Sequence, residues 1–181
     1  VKKIIIPLVN TKPLIIRDIN AKIKSQGIIM PGLELSIISE INAQVEWISN
    51  NMRTGASFNK GDTLIKFDKR DYELAYISAN SNVYNAEVNF EREMAEADMA
   101  NKEWLRIGEG KASSLTLRKP QLAQAKATLE AAKANAEKAK RNLERTAIIA
   151  PFNGRVRKNN IDFWSTVFIG SPLGSIYSID Y

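Results

Sequence analysis

Two separated stretches of this chain carry the same short pattern, and a long heptad sequence lies between them. The first copy runs from Ala43-Gln44-Val45 to Lys60-Gly61-Asp62-Thr63-Leu64-Ile65-Lys66-Phe67-Asp68. The second runs from Pro151-Phe152-Asn153-Gly154-Arg155-Val156 to Ile169-Gly170-Ser171-Pro172-Leu173-Gly174-Ser175-Ile176. Aligned with a two-residue gap, Val45 falls on Val156, Phe58 on Val167, Gly61 on Gly170 and Leu64 on Leu173. A Gly followed by an apolar strand residue reads as a tight turn and a return to the core. Neither copy can bury its apolar face alone, so one fold has been divided and its middle drawn out.

The insertion has a different period. Tyr72, Tyr76, Ala79, Val83, Ala86, Phe90, Glu93, Ala97, Ala100, Trp104 and Ile107 step by four and three in alternation. That is an a/d helical stripe with one charged interruption, beside which Met94 is placed to cover the gap. Gly108-Glu109-Gly110 stops the helix. Ser113 and Ser114 are candidate N-caps, and Pro120 suits the start of a return helix. Leu122, Ala125, Leu129, Ala132, Ala136, Ala139, Leu143 and Thr146 then repeat the stripe. Large residues on the first helix face Ala on the second, so the two should pack closely as an antiparallel pair. Their charges also match: residues 69–107 hold eight acidic and five basic residues, and residues 111–146 three acidic and nine basic. Flanking ion pairs between the helices are therefore expected. At about 1.5 Å per residue the arm would be on the order of 40–55 Å long.

Composition narrows the function. The chain has 181 residues, a net charge of +6, and neither Cys nor His. Thiolate chemistry, imidazole general bases and most zinc or copper sites are thereby excluded. The basic residues are spread along a helix among Glu residues rather than gathered around aromatics, which argues against a nucleic-acid partner. No Ser/His/Asp, Cys/His or phosphate-loop constellation is present, so the chain does not read as an enzyme. Met30, Met52, Met94 and Met99 are too scattered for a soft-metal site. Glu87, Glu91, Glu93, Glu96 and Asp98 read as a solvated helix face rather than a metal cluster.

Residues 3–9 and 13–29 alternate apolar and polar residues and are expected to be extended. Pro7, Pro13 and Pro31-Gly32 punctuate them. The chain starts at Val1 and ends on Tyr177-Ser178-Ile179-Asp180-Tyr181, which reads as a strand cut from its partners; a longer parent protein is expected. The longest apolar run, Ile4-Ile5-Ile6-Pro7-Leu8-Val9, is too short to span a bilayer.

Three segments together resemble the periplasmic adaptor subunits, or membrane fusion proteins, of tripartite efflux pumps. They are Ser25-Gln26-Gly27-Ile28-Ile29, the Gly61–Asp68 run before the first helix, and Leu143-Glu144-Arg145-Thr146 joined to Ala150-Pro151-Phe152-Asn153-Gly154-Arg155-Val156. The resemblance implies an α+β fold: a split biotinyl/lipoyl-like β-sandwich, an inserted antiparallel coiled-coil hairpin, and partial β-barrel strands. Residues 1–32 would then belong to an incomplete barrel or membrane-proximal region, and 33–68 to the first lipoyl-like half. The hairpin would span 69–146 with its tip at about 108–119. Residues 147–176 would form the second half, and 177–181 the start of a return strand.

The same resemblance implies a periplasmic bridge between an inner-membrane transporter and a TolC-type outer-membrane channel. The transporter would be RND-type first, with an ABC-type or type I exporter as the alternative. Self-association into a ring, a hexamer or trimer of dimers, is implied, as is anchoring to the inner membrane of a Gram-negative bacterium. No cofactor is expected. The rival of another class is a lipoyl or biotin carrier, for which Lys66 and Lys69 at the insertion are the only candidates. Channel contacts are expected at the tip, on Glu103, Arg106, Ile107, Gly108, Gly110, Ser113, Ser114 and Leu115. The family often shows Arg, then Leu four on, then Ser eleven on. Taking Ser114 as that Ser puts Glu103 and Ile107 in the other places, with Arg106 off register. In the half-motifs, Ala43 and Trp164 stand where Gly is usual.

Overall fold

The computed structural model describes residues 4–28 and 30–179. The chain divides into two units, Val1–Met30 and Pro31–Tyr181. In the first, none of the described residues is in a helix or strand. The strands expected over 3–9 and 13–29 are not formed among them; Lys3 and Ile29 lie outside the described residues. A strand needs a neighbour's N–H and C=O groups, and an alternating pattern alone does not supply them.

In the second unit, eight strands make two four-stranded sheets. The first half contributes β1 (Glu34–Ile38), β2 (Ala43–Ile48), β3 (Ser57–Phe58) and β4 (Thr63–Phe67). The second contributes β5 (Ala147–Ile149), β6 (Gly154–Asn159), β7 (Thr166–Val167) and β8 (Pro172–Ser178). The sheet orders are β1-β8-β6-β3 and β5-β4-β2-β7. Exchanging each strand for its counterpart in the other half, four strand numbers away, turns the first order into the second. Each sheet thus takes two strands from each half, which is why neither half can close alone. Tyr177 and Ser178, read from sequence as the start of a return strand, finish β8 instead, opposite Glu34 and Gly154. Asp180 and Tyr181 lie outside the described residues.

The two halves match atom for atom at their turns. Gly61 N–H donates to Ala150 O at 2.9 Å, and Gly170 N–H to Ser39 O at 2.8 Å. Both glycines have positive φ, 92° and 88°. The three aligned apolar pairs, Val45 with Val156, Phe58 with Val167 and Leu64 with Leu173, are all buried in one core, together with Ile37, Ile41, Met52, Ile65, Phe67, Ala150, Ile161 and Ile176. Where the first half has Gly55 at φ 85°, the second has Trp164 at φ 64°. Their N–H groups donate to Val156 O and Val45 O, the aligned valines. Trp164 therefore holds a left-handed conformation that costs an L-residue roughly 1–2 kcal/mol.

The arm grows from β4 and β5, which are neighbours in one sheet. Phe67 N–H donates to Thr146 O at 2.8 Å, so the last strand pair runs directly into the helices. Helix α1 covers Arg70–Ile107 and α2 covers Lys119–Glu144. At 38 residues α1 is about 57 Å long. Its first turn is fixed by Asp68, whose carboxyl the Arg70 guanidinium and then the Arg70 backbone N–H hold down at about 2. Tyr72 Oη donates to Asn42 O at 2.9 Å, and Arg145 pairs with Glu40 at 2.6 Å, tying both helices to the sandwich.

Along the arm the stripe residues from Tyr72 to Trp104, and from Leu122 to Thr146, are all buried or half-buried. Ala86, Ala125, Leu129, Ala136 and Thr146 are the most enclosed. Three expectations fail. Ile107 is 67% exposed, because α1 ends there and α2 offers no layer opposite. Met94 is half-exposed and does not cover Glu93. Charge pairing between the helices is confined, among the described residues, to Arg118 with Glu93 and Glu96. The other ion pairs of the helices lie within one helix or at the root, where shorter side-chain reach makes them easier to form.

Candidate functional site: the arm tip

The tip is a folded turn built on two glycines and one serine. Gly108 N–H donates to Trp104 O at 2.8 Å and ends α1. A Cβ on Gly108 would lie 2.5 Å from Trp104 Cδ2, so the indole packs where any larger residue would sit. Gly110 adopts φ 80°, which reverses the chain. Ser113 does not cap α2. Its Oγ accepts from Thr116 N–H at 3.0 Å and bonds Thr116 Oγ1 at 2.8 Å, holding a separate turn over 114–118. Ser114 contributes its carbonyl, which accepts from Lys119 N–H at 3.0 Å.

Arg118 closes the turn. It takes the left-handed conformation at φ 51° immediately before α2. Its Nη2 lies 2.7 Å from Glu93 Oε2 and 2.6 Å from Glu96 Oε2. The Glu93 side chain is only 15% exposed, so its seam carboxylate depends on this cation. Sequence reading had not singled out Arg118. The signal existed: a Glu at a d position requires a cation level with it on the return helix, and Arg118 is the basic residue at that height.

Beside this turn lies an open groove of about 370 Å³ lined by Ala100, Glu103, Trp104, Ile107, Gly108 and Thr116. Glu103 and Arg106 form an ion pair at 2.7 Å, so neither presents a lone charge. Leu105, Ile107 and Leu115 are exposed around the tip. Of the residues expected here, Glu103, Ile107 and Gly108 meet in the groove; Arg106 meets it only through Glu103. Gly110, Ser113 and Ser114 shape the turn, and Leu115 stands on it. The tip can therefore offer an apolar, ring-floored cleft with a self-neutralised rim. Trp104, which the sequence offers either as a docking residue or as the last seam layer, lines that cleft, and so does Thr116, which was not among the residues expected from sequence.

At the other end of the arm, Lys66 Nζ lies 5.4 Å from the centre of the Trp47 ring and Lys69 pairs with Glu73 at 2.7 Å. No helix among the described residues is long and apolar enough to cross a membrane.

No family model matches the chain, and no curated protein matches it in sequence. Solved structures do resemble it. A protein from Bacteroides eggerthii DSM 20697 described as a candidate efflux transporter aligns at TM-score 0.62 and 20% identity, over 81% of this chain and 40% of that one. The membrane fusion protein Spr0693 from Streptococcus pneumoniae R6 aligns at TM-score 0.58 and 19% identity, over 82% and 61%. The periplasmic adaptor protein EmrA aligns at TM-score 0.57 and 12% identity, over 82% and 73%. The chain thus spans about half the length of the first two. A split eight-stranded sandwich with a two-helix arm on its β4–β5 connection is the fold of the membrane fusion, or periplasmic adaptor, proteins.

Proposed function

We propose that this chain is the sandwich-and-arm portion of a periplasmic adaptor that couples an inner-membrane transporter to a TolC-type outer-membrane channel. The observation that carries the reading is the arm itself. Beyond Tyr72, which packs against the core, the arm extends away from the sandwich on an α1 about 57 Å long, and it is joined to that core by the β4–β5 ladder, Tyr72 and Arg145. Such a part transmits position over distance. Adaptor structures of the same fold support this use.

The work of the protein is then binding and mechanical coupling, with several copies placed around one conduit and residues 1–32 belonging to a barrel region toward the inner membrane. An RND-type transporter is the first partner to test and an ABC-type exporter the second. A carrier role is disfavoured because Lys66 and Lys69, the only lysines at the insertion, sit at the base of the arm in contacts of their own. In the adaptor reading the tip cleft, with Trp104 and Ile107, meets the channel through apolar side chains.

Photo-crosslinkers at Ile107 and Leu115, in cells making the parent protein, are expected to capture an outer-membrane channel. Crosslinks to the channel that arise only from residues 80–95, and never from the tip, would overturn the assignment.

A further inference from the structure

The tip cleft has one wall that does not belong to the helix beneath it. Ala100, Glu103, Trp104 and Ile107 lie on α1 and Gly108 ends it, so these lining residues move with that helix. The remaining one, Thr116, belongs to the separate turn over 114–118. The width of the cleft is therefore the distance between that turn and α1.

The backbone does little to fix that distance. The bonds of the turn are internal or run into α2: Thr116 N–H donates to Ser113 Oγ, Leu117 N–H to Ser113 O, Arg118 N–H to Leu115 O and Lys119 N–H to Ser114 O. The link back to α1 passes through Gly108 and Gly110 and lies in no helix or strand. The apolar stripe of α2 begins only at Leu122, beyond the turn. Among the described residues, hydrogen bonds and ion pairs from the turn to α1 come from Arg118 alone, to Glu93 and Glu96.

The cluster is arranged to reach α1 and not to satisfy itself. Arg118 takes a left-handed conformation, φ 51°, that an L-residue disfavours. Its Nε and the nearby-in-sequence Gln121 Oε1 are buried without a protein partner. A guanidinium placed for stability alone would use its donors more fully. Here a single nitrogen, Nη2, serves both carboxylates. Glu93 and Glu96 stand about 6–10 Å along the helix axis from Ala100, the first lining residue of α1. The tie is thus made just below the cleft, outside its lining.

We propose that Arg118 is the positioning residue of the tip cleft: by tying the turn to α1 through Glu93 and Glu96, it holds Thr116 at a fixed distance from Trp104 and Ile107. A turn released from α1 would keep its internal bonds and still swing, so the cleft would be closed for only part of the time. The apparent affinity of a partner for the cleft would fall with the closed fraction. The proposal rests on the adaptor reading for the use of the cleft, and adds to it the residue that makes the cleft competent to bind.

The chain has no Cys, so introduced spin labels report cleanly. Lys102→Cys with Leu115→Cys, both exposed, spans α1 and the turn; Asn85→Cys with Ala131→Cys, also exposed, spans the two helices lower on the arm. Electron–electron distance measurements on the full chain are expected to give one narrow tip distance. Arg118→Gln should lengthen and broaden it while the lower distance and the helical circular dichroism stay unchanged, and Arg118→Lys should restore it in part. Glu93→Gln combined with Glu96→Gln removes the partners and leaves the backbone of Arg118 alone; it should broaden the tip distance in the same way. A tip distance unchanged in either variant would overturn the proposal, as would equal broadening at both label pairs, which would mark a general loosening of the arm. Photo-crosslinking to the channel from Leu115 tests the adaptor reading separately. A tip distance that depends on Arg118 without any channel capture would remove that reading and leave this one standing; capture without such dependence would do the reverse.

Discussion

Glu93 and Arg118 show how one residue can contradict a pattern and still belong to it. A carboxylate at a d position breaks the apolar stripe, and the heptad reading assigned a methionine to hide it. The structure instead brings a guanidinium from the far end of the turn, at the expense of a left-handed backbone at Arg118. Arg118 Nε and Gln121 Oε1 remain without a protein partner, so the cluster is only partly satisfied. Removing the cation alone leaves Glu93 largely buried and unpaired. Arg118→Ala is therefore expected to lower the midpoint of chemical denaturation. Glu93→Leu restores the apolar layer, and in that background Arg118→Ala should cost far less. Chemical denaturation of the four-member mutant cycle measures the difference; equal losses in both backgrounds would show that Arg118 acts through the turn and not through Glu93. Trp164 is a second residue of this kind. Its left-handed φ was hidden because the sequence shows only that a bulky residue replaces an expected Gly, not that the backbone keeps the glycine conformation.

At the scale of elements, periodicity carried most of what could be read. The a/d stripes identify the faces of α1 and α2, since burial in a two-helix pair follows spacing alone. Leu129, 5% exposed, is the largest buried side chain of the α2 seam. Leu129→Ala should cost roughly 2–5 kcal/mol, because the flanking seam residues Ala125 and Ala132 carry only a methyl group that cannot swing into the void. Thermal melting of the variant tests this; an unchanged midpoint would place Leu129 outside the seam. Periodicity was less informative where structure depends on non-local partners. The alternation in residues 3–29 predicted strands that the described residues do not form. The tip also resisted reading: its caps are backbone carbonyls and a serine that serves a separate turn, and Trp104 packs on Gly108 by a contact no spacing rule contains. The expected tip residues were therefore near the cleft without describing it.

At the scale of the molecule, the division of the sandwich is the informative fact. The repeat in the sequence showed that two halves exist and aligned their core residues. It could not show that each sheet would draw two strands from each half, because strand order is set by pairing across the insertion. The consequence is testable. β4 and β5 are antiparallel neighbours, with Lys66 opposite Ala147 and Phe67 bonded to Thr146. The ends that the arm joins therefore already lie a hairpin turn apart. Replacing residues 68–145 by Asn-Gly, which favours a two-residue hairpin, should leave a folded β-sandwich with the same core. Loss of the arm shortens the loop between halves and removes the contacts of Tyr72 and Arg145 with the sandwich and the Asp68 N–H bond to Gln44 O. Residues 31–68 alone should stay unfolded, since Val45, Phe58 and Leu64 would then lack their counterparts. Circular dichroism and amide dispersion in NMR spectra distinguish the two products. If the armless chain is unfolded, the helices supply stability that the sandwich lacks, and the arm is part of the fold's foundation as well as its reach.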